Sequence, residues 1–542
     1  MKVALGQINT VIGHFEHNVA RIKSFIDQAE REKADLVVFP ELSICGYPPQ
    51  DFLEFSEFIE ACQKAVDKVA QYKPHLPVIV GAPIPNPGAP GKNLLNGALW
   101  LQDGSVRHYT VKALLPNYDV FDEYRYFEGG RQFSVIEFKG VRFGLTICED
   151  VWDISEDPEY TVSPPKELAR YQPHVLINIS ASPFNAHHHE ARLQVMRHWC
   201  TRLKLTGLYC NCAGAQTELI FDGGSFALNA EGQRIAQAPF FQEALLCVDL
   251  NGPAIPNLED PSVLERIHQA IILGIRDYFH KQGFRKAILG LSGGIDSSLV
   301  AVLAAEALGP QNVLALLMPS EFSSSHSLRD GEALARNLGI EWDVLPIQPI
   351  FDTYLKNLSK HFSNTPFNVA EENLQSRIRA NLLMAISNKY GHVLLNTSNK
   401  SELAVGYGTL YGDMCGALSV IGDLYKTQVY QLAHHIQATT SVFPPYVLTK
   451  EPSAELRPNQ KDTDSLPPYE VLDAILQPYI EERKGPRRIC QETGFSPDLV
   501  VQVLRMVNRA EFKRRQSPPV LRVSVKAFGP GRRLPVVGRY LE

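Results

Sequence analysis

The chain has 542 residues, a formal net charge of −6, a hydrophobic fraction of 44% and a charged fraction of 21%. This composition is typical of a folded globular protein and excludes a disordered chain, and the length requires two large domains or three smaller ones. The negative net charge argues against general nucleic-acid binding.

Strand and helix patterns alternate through residues 1–250. Apolar strand segments such as VALGQIN, DLVVFPE, PVIVGAPIP, RFGLTICED and HVLINISAS are separated by amphipathic helix patterns, the first of them over 18–32. The glycine-turned segment GGSFALNAEGQRIAQA predicts a hairpin. These elements predict a layered α/β domain. The next segment, NGPAIPNLEDPS at 251–262, is rich in Pro, Gly and Asn and has no periodicity, which indicates a linker.

A second alternation occupies residues 263–542. A helix pattern runs over 263–282, and the strand segments KAILGLSGG, NVLALLMPS, EWDVLPIQP and HVLLNTSN follow with helices between them. Parallel strands with helical crossovers are the expected solution. The Pro-rich and polar stretches at 443–468 and 515–538 predict loops or tails. From Arg509 onward the chain has nine Lys/Arg and two acidic residues, which suits either a solvated tail or a clamp for an anionic ligand.

Three segments of the first domain carry residues suited to amide hydrolysis. Glu41 lies in FPELSICGYPPQD, Lys112 in VKALLPNYDVFDEYRYFEGG and Cys148 in LTICEDVWD. Each alone has an ordinary interpretation, as an acid at a strand end, a lysine in a loop or a thiol in a core. In this order and with these flanks they resemble the Glu-Lys-Cys centre of the nitrilase/amidase superfamily over about 1–250. The resemblance implies an α-β-β-α nitrilase-like sandwich.

The same resemblance implies a catalytic role for each of these residues. Cys148 would be the nucleophile, because a thiolate attacks an amide at neutral pH once a neighbouring group takes its proton. Glu41 would be the general acid–base, and Lys112 would stabilise the oxyanion together with the backbone N–H after Cys148. Glu123, in FDEYRYF, stands where the superfamily often carries a second glutamate that positions base and substrate. A surface acid is the alternative interpretation of Glu123.

Similarity to the glutamine-specific members of the superfamily suggests L-glutamine as a substrate. Tyr118 in LPNYDVF and Ser182 in NISASPF would contact its α-amino and α-carboxylate groups. His188 stands where those members commonly have a lysine, and the triplet of histidines at 187–189 suits a surface helix start equally well. A metal site there is the poorer interpretation, because adjacent histidines do not all face one ion. Cys210 and Cys212 suggest core thiols rather than a zinc site.

The segment ILGLSGGIDSSLV at 288–300 predicts a phosphate-binding loop. An apolar strand passes through glycines and hydroxyls directly into a helix, so backbone N–H groups and the helix N-terminus converge. The segment lacks the Gly-Lys-Ser/Thr ending of a Walker A motif. It resembles the pyrophosphate loop of ATP-pyrophosphatase amidating enzymes, whose fold is a Rossmann-like parallel-sheet adenine nucleotide hydrolase domain. The resemblance implies ATP binding by Gly290, Leu291, Ser292, Gly293, Gly294, Ile295, Asp296, Ser297 and Thr397.

Four further segments are similar to NAD synthetases in particular. They are EENLQSRIRANLL (371–383), LLNTSNKSELAVGYGTLYGDM (394–414), DLYKTQVYQLA (423–433) and EFKRRQSPPVLR (511–522). The similarity spans about 263–540 and is more specific than the loop alone. It implies that deamido-NAD(+) is bound by Asn373, Glu402 and Lys513, which favours the clamp interpretation of the basic tail.

Adenylation of a carboxylate brings the phosphates of ATP close to a second anion, so a metal ion and basic side chains are required. Asp296 and Glu402 are the expected Mg²⁺ ligands, since one or two carboxylates with phosphate oxygens are the usual arrangement. Basic candidates for phosphates or transition-state charge are Arg377, Lys400 and Lys426, each with a surface salt bridge as the alternative. Asp413, in YGDM, is a further site candidate.

Together these motifs predict a carbon–nitrogen ligase with a glutaminase domain at 1–250, a linker at 251–262 and an NAD synthetase domain at 263–542. The reaction would amidate deamido-NAD(+) with ATP and ammonia from glutamine, releasing AMP, pyrophosphate and glutamate. A protected route for ammonia is expected, because ammonia in neutral water is largely protonated. The alternatives are an amidase with a regulatory ATP-binding module and an RNA-modifying enzyme with the same loop.

The cellular location and the oligomeric state are inferred from general features of the sequence. The nine cysteines are scattered, the start MKVALGQINTVIG lacks the apolar core of a secretory signal, and no apolar run reaches the roughly 20 residues of a membrane span. We expect a cytoplasmic protein with free thiols, and neither nucleic acid nor membrane as partner. Resemblance to the synthetase family implies a homo-oligomer.

Overall fold

The chain folds into two units, Met1–Pro261 and Ser262–Glu542. The computed structural model describes residues 1–88, 91–155, 160–255, 259–363 and 365–541. Residues 256–258 of the predicted linker lie outside the described residues. Among the helices that are described, none has both the length and the apolar character needed to cross a bilayer.

The described strands of the N-terminal unit form two six-stranded sheets and a separate pair. They are β1 (Lys2–Gln7), β2 (Leu36–Val38), β3 (Val78–Pro85), β4 (Leu94–Gln102), β5 (Ser105–Val111), β6 (Val135–Phe138), β7 (Val141–Ile147), β8 (Val175–Ser180), β9 (Thr206–Asn211), β10 (Ala213–Gln216), β11 (Leu219–Asp222), β12 (Phe226–Leu228), β13 (Arg234–Gln237) and β14 (Ala244–Asp249). The first sheet has the order β14-β1-β2-β3-β4-β5, the second β13-β12-β9-β8-β7-β6, and β10 pairs with β11.

Helices cover the outer face of each of these sheets. They are α1 (Phe15–Arg31), α2 (Ser56–Ala70), α3 (Pro164–Ala169) and α4 (His188–Leu203), with short 3₁₀ turns at Gln50–Glu54, Glu123–Arg125 and Cys148–Val151. Helix α1 begins at Phe15, ahead of the expected start at 18, because His14 caps it by accepting a hydrogen bond from His17 N.

The side chains of single strands show why the sheets pack face to face. In β1, Val3 and Leu5 point into a core shared with Ile147 and Ile177 of the second sheet, whereas Ala4 packs in the core beneath α1 and α2. Successive strand residues face opposite sides, so a strand buried on both faces is apolar throughout. The α-β-β-α sandwich expected from the sequence is confirmed.

The described strands of the C-terminal unit form one parallel sheet. They are β15 (Lys286–Gly290), β16 (Val313–Leu317), β17 (Glu341–Val344), β18 (His392–Asn396) and β19 (Leu418–Ser419), in the order β17-β16-β15-β18-β19. All four strand pairs are parallel. The expected parallel-sheet fold is therefore confirmed.

Helices connect and surround this sheet. They are α5 (Val263–Gln282), α6 (Ile295–Leu308), α7 (Ser325–Leu338), α8 (Gln348–Leu358), α9 (Val369–Tyr390), α10 (Lys400–Val405), α11 (Lys426–Thr440), α12 (Pro445–Thr449), α13 (Tyr469–Ile480), α14 (Pro486–Thr493), α15 (Pro497–Arg509) and α16 (Glu511–Arg514), with 3₁₀ turns at Pro310–Asn312 and Asp462–Asp464. Helix α12 and the second turn lie inside 443–468, which the sequence predicts as loop. Helix α5 has the expected bounds.

The sheet order places a crevice at the ends of β15 and β18. Strand β15 leads through α6 to β16 on one side, and β18 pairs with it on the other. In open parallel sheets, ligands bind outside the carboxyl ends of the strands at such a switch point. The loop at 290–297 and Thr397 both follow strands that end at this crevice.

Gly81 of β3 allows the segment that carries Glu41 to lie directly on the first sheet. A Cβ at Gly81 would stand 2.2 Å from Leu42 N and 2.6 Å from Pro40 O, which are backbone atoms. We predict that Gly81→Ala lowers the free energy of unfolding of this unit by about 1–3 kcal/mol, as overpacking does elsewhere. Urea unfolding measures the change. Gly88→Ala is the control, because its Cβ would meet only a side-chain atom at 3.7 Å; equal losses in both variants would contradict the prediction.

Candidate active sites

Three charged side chains are buried together in the N-terminal unit. Lys112 Nζ lies 2.8 Å from Glu41 Oε1 and 2.8 Å from Glu123 Oε1. Glu41 and Glu123 are 2% and 5% exposed and Lys112 is not exposed at all, so the lysine serves as counter-ion to both carboxylates away from water. Tyr47 also donates a hydrogen bond to Glu123, at 3.0 Å. Glu123 is thus part of the buried cluster, and the surface interpretation of this residue is wrong.

Each member of the cluster stands just beyond an element. Glu41 follows β2, and Lys112 follows β5 with its backbone N–H donating to Asn96 O of β4 at 2.8 Å. Glu123 opens a 3₁₀ turn. Strand ends bring polar side chains to the edge of the sheets while the strands themselves remain apolar.

Cys148 begins a 3₁₀ turn directly after β7. Its φ of 44° lies in the left-handed region, and the residue is 5% exposed. Strained backbone of this kind is frequent at catalytic turns. Asp150 holds the turn: it accepts hydrogen bonds from Ile147 N, Ala113 N and Leu114 N, each at 2.9 Å. One carboxylate therefore fixes the Cys148 turn to the segment that follows Lys112.

The electrostatics of the cluster favour the neutral form of the Cys148 thiol, so a base is needed to take its proton. Burial raises the pKa of Cys148 well above its usual value, the Glu41 carboxylate raises it further, and the Lys112 ammonium opposes both. Burial also raises the pKa of Glu123 to about 7, against the lowering effect of Lys112. Although burial lowers the pKa of Lys112, the two glutamates raise it well above the ordinary value, so Lys112 is a permanent cation.

The three residues expected to contact glutamine have different environments. Tyr118 OH donates to the Glu149 carboxylate at 3.0 Å. Ser182 Oγ accepts from the buried Arg192 at 3.2 Å. His188 packs against Trp152, with ring centroids 4.9 Å apart.

The histidine triplet does stand at a helix start, because His187 is the N-cap of α4. His189, however, is only 1% exposed and packs against Phe240 and Phe226. The expectation of a surface role is therefore wrong for His189.

Several residues of this site carry no signal that sequence reasoning used. Asn96 lies in an apolar segment without a motif, and Tyr47 lies in the same segment as Glu41, where the resemblance assigns it no role. Glu149 and Asp150 directly follow Cys148, in ICEDVW, and their position was the available signal. Arg192 is fully buried and pairs with Asp222 at 2.7 Å.

In the C-terminal unit the loop at 292–297 is held by its own hydroxyls. Ser297 Oγ accepts from Ser292 N at 3.2 Å and lies 3.0 Å from Ser292 Oγ. Gly293 has a φ of +77°, and a Cβ there would stand 2.1 Å from Ser327 O at the start of α7. Glycine is required at this position, because both the backbone angle and the close approach exclude a side chain.

Beside the loop, Lys426 lies between two carboxylates. Lys426 Nζ is 2.5 Å from Asp296 Oδ2 and 3.5 Å from Glu402 Oε1, and Asn399 donates to Asp296 Oδ1 at 2.9 Å. Burial and the Asp296 carboxylate raise the pKa of Glu402 to about 8, while Lys426 opposes them. Two adjacent carboxylates at the edge of a cavity fit a hard divalent cation that also takes phosphate oxygens.

Two adjoining cavities open around this cluster. The smaller, of about 260 Å³, is lined by Gly290, Leu291 and apolar side chains of β16 and α9. The larger, of about 550 Å³, is lined by the expected residues Gly294, Ile295, Asp296, Asn373, Glu402 and Lys513, and also by Lys426. Both are lined by Ser292, Ser297, Thr397 and Asp413. The structure thus brings most expected nucleotide-site residues to one crevice.

Two of the basic candidates are used elsewhere. Lys400 is fully buried and ion-paired with Asp423 at 2.9 Å and Glu481 at 2.7 Å, so its assignment to phosphate is wrong. Arg377 donates to Leu410 O at 3.2 Å. Basic residues that the sequence analysis missed line the cavities instead: Arg379 the smaller, and Lys450 and Arg457 the larger.

Comparison with known proteins matches a different family model to each unit. The family model described as carbon-nitrogen hydrolase matches residues 2–255, and the model described as NAD synthase matches residues 267–517. The chain therefore joins a carbon–nitrogen hydrolase unit to an NAD synthase unit.

Full-length relatives narrow this class. The chain is 46% identical to the glutamine-dependent NAD(+) synthetase of Synechocystis, over 98% of each chain, and 38% identical to that of Aquifex aeolicus over the whole of both. A solved structure of the glutamine-dependent NAD+ synthetase from Acinetobacter baumannii, in complex with ADP, aligns with a TM-score of 0.79 at 37% identity, covering 99% of this chain and 98% of that one. The chain belongs to the family of glutamine-dependent NAD(+) synthetases.

The raised pKa of Glu402 predicts a pH-dependent stability. A carboxyl that titrates near pH 8 when folded and near 4.5 when unfolded binds more protons in the folded state, so its contribution falls as the pH rises from about 5 to 8. We expect the free energy of unfolding of Glu402→Gln, relative to that of wild type, to rise by on the order of 2–4 kcal/mol as the pH increases over this range. Calorimetric unfolding at pH 5.5 and 8.5 measures it. Glu332→Gln, at a glutamate paired with Arg336 on α7, is expected to follow wild type; parallel pH profiles for all three proteins would contradict the prediction.

Proposed function

We propose that this chain amidates deamido-NAD(+) to NAD(+) with ATP and with ammonia taken from glutamine, releasing AMP, pyrophosphate and glutamate. The observation that carries the proposal is the presence of both chemistries in one chain. One unit buries a thiol, a base and an ammonium together, and the other surrounds a phosphate loop with two carboxylates and a lysine.

In the glutaminase reaction, Glu41 takes the thiol proton of Cys148 and the sulfur attacks the amide carbon of glutamine. Lys112 and the backbone N–H after Cys148 stabilise the oxyanion. Glu41 returns the proton to the departing ammonia and then activates water against the thioester, each step being worth roughly 10²–10⁴ in rate. Glu123 keeps Lys112 in place through the 2.8 Å ion pair.

Substrate selection in the same unit is proposed for Tyr118, Ser182 and His188. The first two meet charged neighbours, since Tyr118 bonds to Glu149 and Ser182 to Arg192. The Glu149 carboxylate suits the α-amino group of glutamine, and the Arg192 guanidinium suits its α-carboxylate group. His188 has its ring against Trp152, and a lysine in its place would reach further.

In the synthetase reaction, the loop from Ser292 to Ser297 and the start of α6 receive the pyrophosphate of ATP. Asp296 and Glu402 would hold Mg²⁺, which supplies charge neutralisation to the phosphates when bound. The apolar lining of the smaller cavity suits an adenine ring, and Thr397 lies where both cavities meet. Deprotonation of Glu402 and release of Lys426 from Asp296 prepare the two carboxylates for the cation.

The larger cavity is proposed for deamido-NAD(+). Asn373 and Lys513 line it, and Glu402 stands close to the loop. Attack of the substrate carboxylate on the α-phosphorus releases pyrophosphate and leaves an acyl adenylate. Attack of ammonia on the acyl carbon then releases AMP. Lys426, as a permanent cation beside the loop, is placed to neutralise the charge that develops on the phosphates.

A cytoplasmic location and a homo-oligomeric assembly are also proposed. The location is supported by the nine cysteines, all of which are free thiols. The assembly is supported by the similarity to the synthetase family, and light scattering of the purified chain measures it.

Cys148→Ala separates the two reactions. We expect the variant to lose synthesis of NAD(+) from glutamine by at least about 10³-fold, because no other group forms the thioester, and to keep synthesis from added ammonia. NAD(+), AMP and glutamate are measured together from deamido-NAD(+), ATP and labelled glutamine. Cys200→Ala, at a buried cysteine of α4, is the matched control. Loss of both activities in Cys148→Ala would overturn the two-reaction account, and glutamate without AMP in wild type would favour an amidase with a regulatory module.

Binding of the metal–nucleotide complex is expected to release protons. Ligation requires an ionised carboxylate, and Glu402 titrates near pH 8, so addition of Mg·ATP at pH 7 should release about one proton from wild type and fewer from Glu402→Gln. Calorimetry in two buffers of different ionisation enthalpy measures the number. An equal proton count in the two proteins would exclude Glu402 as a ligand.

A further inference from the structure

A buried amide connects the two glutamates of the N-terminal site. Asn96 of β4 is fully buried, and its Nδ2 lies 2.7 Å from Glu41 Oε1 and 3.4 Å from Glu123 Oε2. An amide nitrogen carries two hydrogens, so it has one donor for each carboxylate. The two carboxylates fix the orientation of the amide, because turning it over would point its oxygen at both of them.

The other end of the same amide has no equivalent contacts. Among the residues that the structure describes, none donates a hydrogen bond to Asn96 Oδ1, although this atom is buried. A buried acceptor without a partner is unfavourable, and an apolar side chain of similar shape would avoid it. The contribution of Asn96 is therefore made by its N–H donors.

The hydrogen bonds of Glu41 show what these donors do. Its Oε1 accepts from Lys112 Nζ at 2.8 Å and from Asn96 Nδ2 at 2.7 Å, which occupies both lone pairs of that oxygen. Among the described residues, its Oε2 accepts from one donor, the backbone N–H of Ala181 at 3.1 Å. One lone pair of Oε2 remains for a proton.

We propose that Asn96 is a positioning residue that leaves Oε2 as the oxygen of Glu41 that accepts a proton. By occupying Oε1 together with Lys112, it directs the thiol proton of Cys148 to Oε2. In this step the S–H bond breaks and an O–H bond forms on Oε2, and the same proton later passes to the nitrogen of the departing ammonia. The inference rests on the proposed glutaminase reaction.

The titratable groups around Glu41 set the background for a pH experiment. They are Tyr47, Lys112, Glu123, Cys148, Glu149 and Asp150. The side-chain amide of Asn96 donates its hydrogen bonds to the two glutamates and does not itself titrate. Its removal takes one donor from ionised Glu41, which makes that carboxylate harder to keep ionised.

The test compares Asn96→Ala with Asn18→Ala. Asn18 is also fully buried, and its amide donates to Val11 O and Ile44 O rather than to the site. Two quantities are followed between pH 5 and 9: glutamate release from glutamine, and alkylation of Cys148 by iodoacetamide without substrate. For Asn96→Ala we expect the acidic limb of both profiles to move up by on the order of one pH unit. We also expect kcat/KM for glutamine at pH 7 to fall about tenfold or more. Asn18→Ala should leave both limbs in place.

Circular dichroism and thermal unfolding show whether the N-terminal unit of each variant is folded. If Asn96→Ala does not accumulate, Asn96→Ser takes its place: a hydroxyl has one hydrogen and serves one glutamate only, so a smaller shift in the same direction is expected. An unmoved limb in a folded Asn96 variant, or an equal shift in Asn18→Ala, overturns the proposal. Wild-type protein that releases no glutamate would instead overturn the proposed function, while the alkylation profile would still decide the role of Asn96.

Discussion

A lysine ammonium shared by two carboxylates is the interaction around which each unit is arranged. Lys112 lies between Glu41 and Glu123, and Lys426 between Asp296 and Glu402. One cation beside two acids leaves a net negative charge away from water, and one carboxyl of each set is accordingly hard to ionise. In the C-terminal unit this group lines the larger cavity.

Hydrogen bonds and close backbone packing hold the segments that carry these charged side chains. In the N-terminal unit, Asp150 connects the turn of Cys148 to the segment after Lys112, and Gly81 lets the Glu41 segment rest on the sheet. In the C-terminal unit, Gly293 presses the loop against the start of α7. Each anchor involves backbone atoms of the segment that it holds, which limits the movement of the site residues on that segment.

The sequence predicts the two α/β folds because their strands are apolar on both faces and their helices are amphipathic, patterns that local sequence carries. It also identifies Glu41, Lys112 and Cys148, since a resemblance to a family assigns positions. It fails for Lys400, where a motif lysine forms a structural ion pair with Asp423 and Glu481. It also fails for Asn96, which occupies an apolar strand, and for Tyr47, to which the Glu41 motif assigns no role. Which charged side chains form ion pairs depends on contacts between distant segments of the chain. The composition and the spacing of motifs do not contain that information.

The ion pairs of Lys426 determine the charge of the C-terminal cluster when no ligand is bound. Because Lys426 supplies a counter-ion from the chain itself, part of the charge of Asp296 and Glu402 is neutralised without any ion from solution. These ion pairs form from groups of the chain alone. A divalent cation that bound Asp296 and Glu402 would therefore have to displace the Lys426 ammonium.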